Sequence, residues 1–206
     1  MIDYYDWPGG REAMLRFGPA DGPVVVAALP LFEEANRTRT FVVTILRLLA
    51  ARGIASVLPD LPGTGESLVP TAEAKLRTMR EAFAAVPGSY AIAIRSGALL
   101  DASERKGRWH LSPQSGPELL HELNRLRQAG GAEDFGGNLL SPALLTDLDT
   151  AEAELARVVR LESDPKPADR KFSGAPLWRR AEPDNDLPLA TLLADDIAAW
   201  VRACEG

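Results

Sequence analysis

The chain predicts a three-layer α/β sandwich, with a mostly parallel central sheet between two layers of helices. Three observations carry that expectation. Short, continuously apolar runs recur at Pro23–Pro30, Ile54–Pro59 and Tyr90–Ile94, the pattern of strands buried on both faces rather than on one. Segments of helical period lie between them, so strands and helices alternate as parallel βαβ units require. At 206 residues, 46% of them apolar, the chain is long enough to bury a sizeable core within one domain.

Taken in order, Pro23–Pro30 is a proline-bounded strand and Leu31–Thr40 a polar loop. Phe41–Gly53 places Val42, Ile45, Leu46 and Leu49 on one helical face and stops at a glycine, and Ile54–Pro59 returns as a strand. The loop Asp60–Ser67 leads to a helix over Thr71–Val86, with Leu76, Met79, Phe83 and Val86 on one face, and then to a strand at Tyr90–Ile94. Ala98–Lys106 is expected to be helical and Arg108–Leu111 a fourth strand. Ser115-Gly-Pro-Glu118 is a capping box onto a leucine-faced helix. Gly130, Gly131, Gly136 and Gly137 mark a flexible connection, after which Ser141-Pro142 caps a short helix. Val158–Leu161 reads as a fifth strand, Leu177–Trp178 as a short strand in a proline-rich stretch, and Leu189, Leu193, Ile197, Trp200 and Val201 as the face of a final helix. The whole is expected to be a single domain, 1–206, with at most a small cap within 115–150.

Charge and composition exclude several classes. With 23 basic against 29 acidic residues, net charge −6, and no basic stripe interleaved with aromatics, nucleic acid is not expected as a partner. The acidic, aromatic start is unlike a signal peptide, and the apolar stretches are too short or interrupted to span a bilayer, so no membrane insertion and a cytoplasmic location are expected. Cys204 is the one cysteine, which rules out an internal disulfide; its register with Ile197 and Val201 assigns it to core packing. No His/Asp/Glu group has metal-ligand spacing, and Gly63-Thr-Gly65 lacks a dinucleotide-binding context, so neither metal nor cofactor is inferred.

Residues 89–98, Ser-Tyr-Ala-Ile-Ala-Ile-Arg-Ser-Gly-Ala, have the layout of a nucleophile elbow, the tight strand-to-helix turn of α/β-hydrolases. The elbow needs small residues two before and two after its apex. Arg95 at the apex has Ala93 and Gly97 there, whereas Ser96 would have Ile94 and Ala98, and a β-branched residue fits a close backbone crossing poorly. Arginine therefore stands where the nucleophile belongs. A downstream histidine is also missing: His110 and His121 both precede the last 80 residues or so, and Asp164, placed where a triad acid is expected, has no histidine to orient.

Asp60-Leu-Pro-Gly-Thr-Gly-Glu-Ser67 is similar to the Asp-x-x-Gly-x-Gly-x-Ser loop of α/β-hydrolases, and Leu29-Pro-Leu-Phe-Glu-Glu-Ala-Asn-Arg-Thr-Arg39 resembles the Pro-Phe-x-Glu-Glu-x-Asn-x-x-Arg segment of the hydrolase-like proteins associated with the exosortase A system of bacterial exopolysaccharide loci. Ile94-Arg-Ser-Gly-Ala-Leu-Leu100 is similar to the corresponding stretch of the second type of these proteins, which also carries arginine at the apex. Trp109–Gly116, Leu123–Arg127 and Leu140–Leu145 resemble further segments, so the likeness spans roughly residues 20–200. It implies an α/β-hydrolase fold and a link to exopolysaccharide production or export.

Three readings follow. In the first, the chain is a degenerate hydrolase in which Arg95, with Glu33, Asn36, Arg37 and Asp60 in the strand-end loops, binds an anionic small molecule or a protein partner; a guanidinium at the start of a helix suits a carboxylate or phosphate. Beside it stands a structural alternative, in which Arg95 pairs with Glu33, Glu34 or Asp60 and locks the site shut. The second is an active esterase or thioesterase with Ser96 as nucleophile and Glu34 or His110 as its base. The third is a structural subunit forming a homodimer through a sheet edge or the last helix. Whether the chain is an enzyme is open at this level.

Overall fold

The structure, a computed structural model, describes residues 1–130 and 135–206. One eight-stranded sheet runs through it in the order β1-β2-β4-β3-β5-β6-β7-β8. The strands are β1 (Ile2–Trp7), β2 (Gly10–Phe17), β3 (Val24–Ala28), β4 (Ala55–Pro59), β5 (Tyr90–Ile94), β6 (Gly107–Leu111), β7 (Arg157–Leu161) and β8 (Arg170–Phe172). From β4 to β8 all neighbours are parallel; β2 joins β4 antiparallel, and β1 pairs with β2 as a hairpin. That hairpin has no counterpart among the strands expected from the sequence. Its residues are mostly charged or half-exposed because β1 is an edge strand, so they lack the continuous apolar signature of the inner strands.

Alternation within the inner strands makes two cores. Val25 and Ala27 of β3, with Tyr90, Ile92 and Ile94 of β5, face α1 (Glu33–Ala51) and α5 (Leu187–Glu205). Val26 and Ala28, with Ala91 and Ala93, face α2 (Leu76–Ala85), α3 (Gly116–Gly130) and α4 (Pro142–Asp149) on the other side. Both capping signals hold: Ser115 and Glu118 exchange side-chain-to-backbone bonds at 3.1 and 3.4 Å, and Ser141 Oγ accepts from the Leu144 N–H at 3.1 Å.

Several expectations change. The expected loop Leu31–Thr40 is mostly helix, because α1 begins at Glu33. Nothing between 33 and 40 breaks a helix, two glutamates fill its first turn, and Thr38 bonds back to the Glu34 carbonyl at 2.8 Å. Thr71–Val86 divides into one 3₁₀ turn at Thr71–Glu73 and then α2, with Ala74 and Lys75 extended between them. Ala98–Lys106 is not a helix. A 3₁₀ turn, Arg95–Leu99, is followed by a loop in which Ser103 bonds Asp101 and Arg105 donates to the carbonyls of Phe83 and Gly88. Polar side chains here satisfy backbone and one another in place of helical bonds. Leu177–Trp178 is likewise a 3₁₀ turn, started by Pro176, and the eighth strand lies at Arg170–Phe172. Cys204 is exposed near the end of α5, not in the core. Of the expected glycine connection, Gly131 lies outside the described residues, while α3 continues to Gly130. Among the described residues no helix is long and apolar enough to cross a membrane.

Candidate functional site

Strand β5 delivers the elbow. After Ile94 the chain turns at Arg95 with φ 54°, a left-handed conformation costly for a side chain with a Cβ. Two residues on, a Cβ at Gly97 would stand 2.5 Å from the Leu29 carbonyl oxygen and 2.7 Å from that of Ala28, so only glycine admits this crossing. The arginine is therefore at the apex. Ser96, the next residue, is fully buried, and its Oγ accepts the Leu31 N–H at 2.9 Å. Leu31 lies in the loop between β3 and α1, where an α/β-hydrolase keeps one of its oxyanion donors. In this chain the Leu31 N–H is committed to the serine beside the apex.

Arg95 lies between two carboxylates. Its Nη2 donates to Glu122 Oε1 and Oε2 at 3.0 and 3.2 Å, and its Nε and Nη2 reach Glu34 at 3.3 Å each. The guanidinium carbon is 5.4 Å from the Trp178 ring centroid, within cation–π range. Burial pushes the Glu34 carboxyl above the usual range, and the neighbouring Arg95 offsets only part of that rise. Arg37 pairs with Glu33 one turn along α1 and donates to the Trp178 carbonyl at 3.0 Å, which fastens the Leu177–Arg179 turn to the helix.

Because α1 starts at Glu33, its residues fan out at about 100° apiece and do not converge as a loop cluster would. Glu33, Glu34 and Arg37 share the Arg95 side, lining a cavity of about 620 Å³. Asn36 and Asp60 line a different cavity, of about 290 Å³, together with Arg39. Asp60 is tied there by Arg39 at 3.1 Å and by the Glu66 N–H at 3.3 Å. Of the partners expected for Arg95, the structure brings only Glu34 to it. The expected helix N-terminus beneath Arg95 is replaced by a five-residue 3₁₀ turn.

His110 is 1% exposed and interacts with the charges of Asp101 and Arg108. Burial lowers its pKa to about 4, with Asp101 opposing and Arg108 reinforcing the fall. Among the described residues no hydrogen bond joins Ser96 to His110 or Glu34. His121 is exposed, and Asp164 pairs with Arg160 at 2.6 Å and accepts the Lys166 N–H, as a turn residue does.

A further cavity of about 600 Å³ opens on the other side of Arg95, between α3 and the turns that follow β6 and β7. Arg95, Glu122, Arg125, Trp178 and Arg179 line both it and the 620 Å³ cavity. Sequence reasoning did not reach Glu122, Trp178, Arg125 or Arg179. The spacing of Glu118, Glu122 and Arg125, four and three residues apart, does announce a shared polar helix face; nothing local says that this face meets the elbow. Trp178 is hidden in an irregular segment without period.

Solved structures superpose on nearly the whole chain. Est1E from Butyrivibrio proteoclasticus, with ferulic acid bound, superposes with a TM-score of 0.64 at 15% identity, covering 98% of this chain and 99% of that one. A haloalkane dehalogenase loop variant from Bradyrhizobium elkanii gives 0.65 at 10% identity, over 100% and 97% of the two chains. The esterase domain of a Rhodothermus marinus protein gives 0.62 at 17% identity, over 98% of each. The chain thus has the α/β-hydrolase fold. No family model and no curated protein matches it.

Proposed function

We propose that this chain is a degenerate α/β-hydrolase-fold protein, without a working Ser-His-Asp triad, that binds an anionic small molecule beside Arg95. The observation that carries the reading is the apex itself: arginine holds the nucleophile's backbone position at φ 54°, while the adjacent Ser96 hydroxyl is enclosed and bonded to Leu31. A guanidinium cannot attack an ester carbonyl, but it suits a carboxylate or phosphate.

Charge accounting supports an anion held on the cavity walls that Arg95 shares. Arg95 with Glu34 and Glu122 sums to −1, which alone would repel it. Arg125 and Arg179, both exposed and without side-chain partners among the described residues, stand on the same cavity walls and turn the sum to +1. The Glu122 side chain is 40% exposed against 15% for Glu34, so Glu122 is the carboxylate an incoming anion displaces from Arg95. Residues 1–206 act in this reading as one unit, with the 115–150 segment as a small cap that supplies Glu122 and Arg125. The motif resemblance at 29–39 and 94–100 supports a place beside the exosortase-associated hydrolase-like proteins. The concave walls on which these arginines stand favour a small molecule over a protein partner.

The competing reading is an active serine hydrolase using Ser96, favoured by the esterase among the structural neighbours. Intact mass after incubation with a fluorophosphonate probe separates the two. No adduct is expected; a single adduct that disappears in Ser96→Ala would establish Ser96 as a nucleophile and overturn the degenerate reading.

A further inference from the structure

Ser112 and Gln114, in the turn after β6, form part of the wall of the 600 Å³ cavity. Gln114 is 2% exposed, yet neither its amide nitrogen nor its carbonyl oxygen has a hydrogen-bond partner. Ser112, 1% exposed, is in the same condition at its hydroxyl. The backbone around them is well fixed: the Ser112 N–H donates to the Val159 carbonyl at 2.7 Å, and Ser112 is held at φ 47°. Strained backbone supporting unsatisfied buried polar groups is costly in a fold that gains nothing from it. Such groups pair with something or are replaced by apolar ones.

Resting on the proposal that an anion binds beside Arg95, we infer that the cavity's ligand also carries a neutral, planar group with adjacent donor and acceptor, an amide, lactam or imide edge, read by the Gln114 carboxamide with the Ser112 hydroxyl beside it. A primary amide presents one donor and one acceptor side by side, so its complement is a group with the reverse pair. The Gln114 polar atoms are enclosed as they stand, so reading a ligand requires rotation about its last side-chain torsion, which is broad for a terminal amide. The anionic end lies toward Arg125 and Arg179 on the same walls. The other cations there are already matched, Arg160 to Asp164 and Lys166 to Glu118.

Uridine 5′-phosphate is a suitable probe, because its imide edge and phosphate can be supplied separately as uridine and ribose 5-phosphate. Titration calorimetry of the full chain is expected to show uridine 5′-phosphate binding more tightly than either half. Gln114→Leu should weaken it about tenfold, as loss of a paired amide edge implies, and leave ribose 5-phosphate unchanged. The same substitution should not lower the melting temperature, since it removes an unsatisfied buried amide. Ser112→Gly, which suits the positive φ and deletes the hydroxyl, gives a second reading should Gln114→Leu fail to fold. Equal binding of uridine 5′-phosphate and ribose 5-phosphate, insensitive to both substitutions, would overturn this inference and leave the anion site standing. Failure of both phosphates to bind would overturn the anion site and this inference with it.

Discussion

Two charge clusters in this molecule are built with opposite arithmetic. Behind the sheet, Asp196 of α5 is a single carboxylate, 4% exposed, that accepts from the Trp109 indole N–H at 2.8 Å, from Arg157 at 2.9 Å and from Arg170 at 2.8 Å. At the elbow, Arg95 is a single guanidinium between two carboxylates. Burial alone would raise the carboxyl pKa at both places. At Asp196 the hydrogen bonds from Arg157 and Trp109 more than reverse that and hold it below the usual range. At Glu34 the one shared arginine does not, and the carboxyl stays high. The contrast separates a staple from the proposed anion site. Asp196 joins β6, β7 and β8 to α5, and every one of its partners gains from its charge. The Arg95 cluster carries a carboxylate too many at a cavity wall, an arrangement that a folded protein has no structural reason to keep.

The largest expected effect comes from breaking the satisfied cluster. Asp196→Ala leaves the Trp109 N–H without its acceptor and two arginines without their carboxylate, and should cost about 4 kcal/mol of stability. For a chain of this size that corresponds to a melting temperature lower by roughly 10 °C, measurable by calorimetry. Sulfate binding by the surviving folded fraction should be unchanged. A loss of sulfate binding without a loss of stability would reverse the roles assigned to the two clusters.

His110, on the opposite face of β6 from Trp109, gives the next effect, and it depends on pH. Its folded pKa, lowered to about 4 by burial, lies below the ordinary value of 6.5. Between those values the unfolded chain binds the proton and the folded chain does not, so stability rises with pH across the window and falls on acidification. The loss from pH 7 to pH 4 is about 3 kcal/mol. Denaturant titrations of the parent and of His110→Leu at both pH values should show the substitution flattening the slope by that amount. Parallel slopes would mean that His110 titrates as it does in the unfolded chain.

The inner half of this fold was readable from the sequence because buried parallel strands announce themselves: β3, β4 and β5 lie where continuous apolar runs stand, and β6 and β7 follow as short strand-like segments in the same alternation with helices. The caps at Ser115 and Ser141 were readable for the same local reason, since a cap is a pattern of three or four neighbours. So was the apex, because the steric demand on Ala93 and Gly97 acts within the elbow itself. The β1–β2 hairpin was not, since a half-solvated edge carries no such run. The helical start of α1 was hidden by its polar residues, and that error misplaced Asn36 relative to Glu33 and Arg37. Cys204 kept helical register with Ile197 and Val201 but is exposed, and register alone cannot tell where the surface to pack against stops. The partners of Arg95 were the least legible part. Glu122 lies 27 residues away on α3, and only the fold brings it to the elbow.

The smallest expected effect sharpens the other half of the contrast. Replacing Glu34 by glutamine keeps its shape and removes a charge that the folded state holds at a disadvantage, as its raised pKa records. Stability at neutral pH should therefore change by less than about 1 kcal/mol, unlike the loss at Asp196. The charge of the Arg95 cluster meanwhile goes from −1 to 0, and with Arg125 and Arg179 counted from +1 to +2. Sulfate, whose charge is constant across this range, should bind the Glu34→Gln protein about tenfold more tightly at pH 7.5, the order expected for one charge removed nearby at a partly screened site. The parent protein should approach the same affinity as pH falls through the raised pKa of Glu34 and that carboxyl takes up a proton; the variant, having no carboxyl there, should not. Convergence of the two titrations at low pH would identify Glu34 as the group that sets the anion affinity. A constant ratio between them at every pH would assign the effect of the substitution to altered geometry around Arg95 instead of to charge.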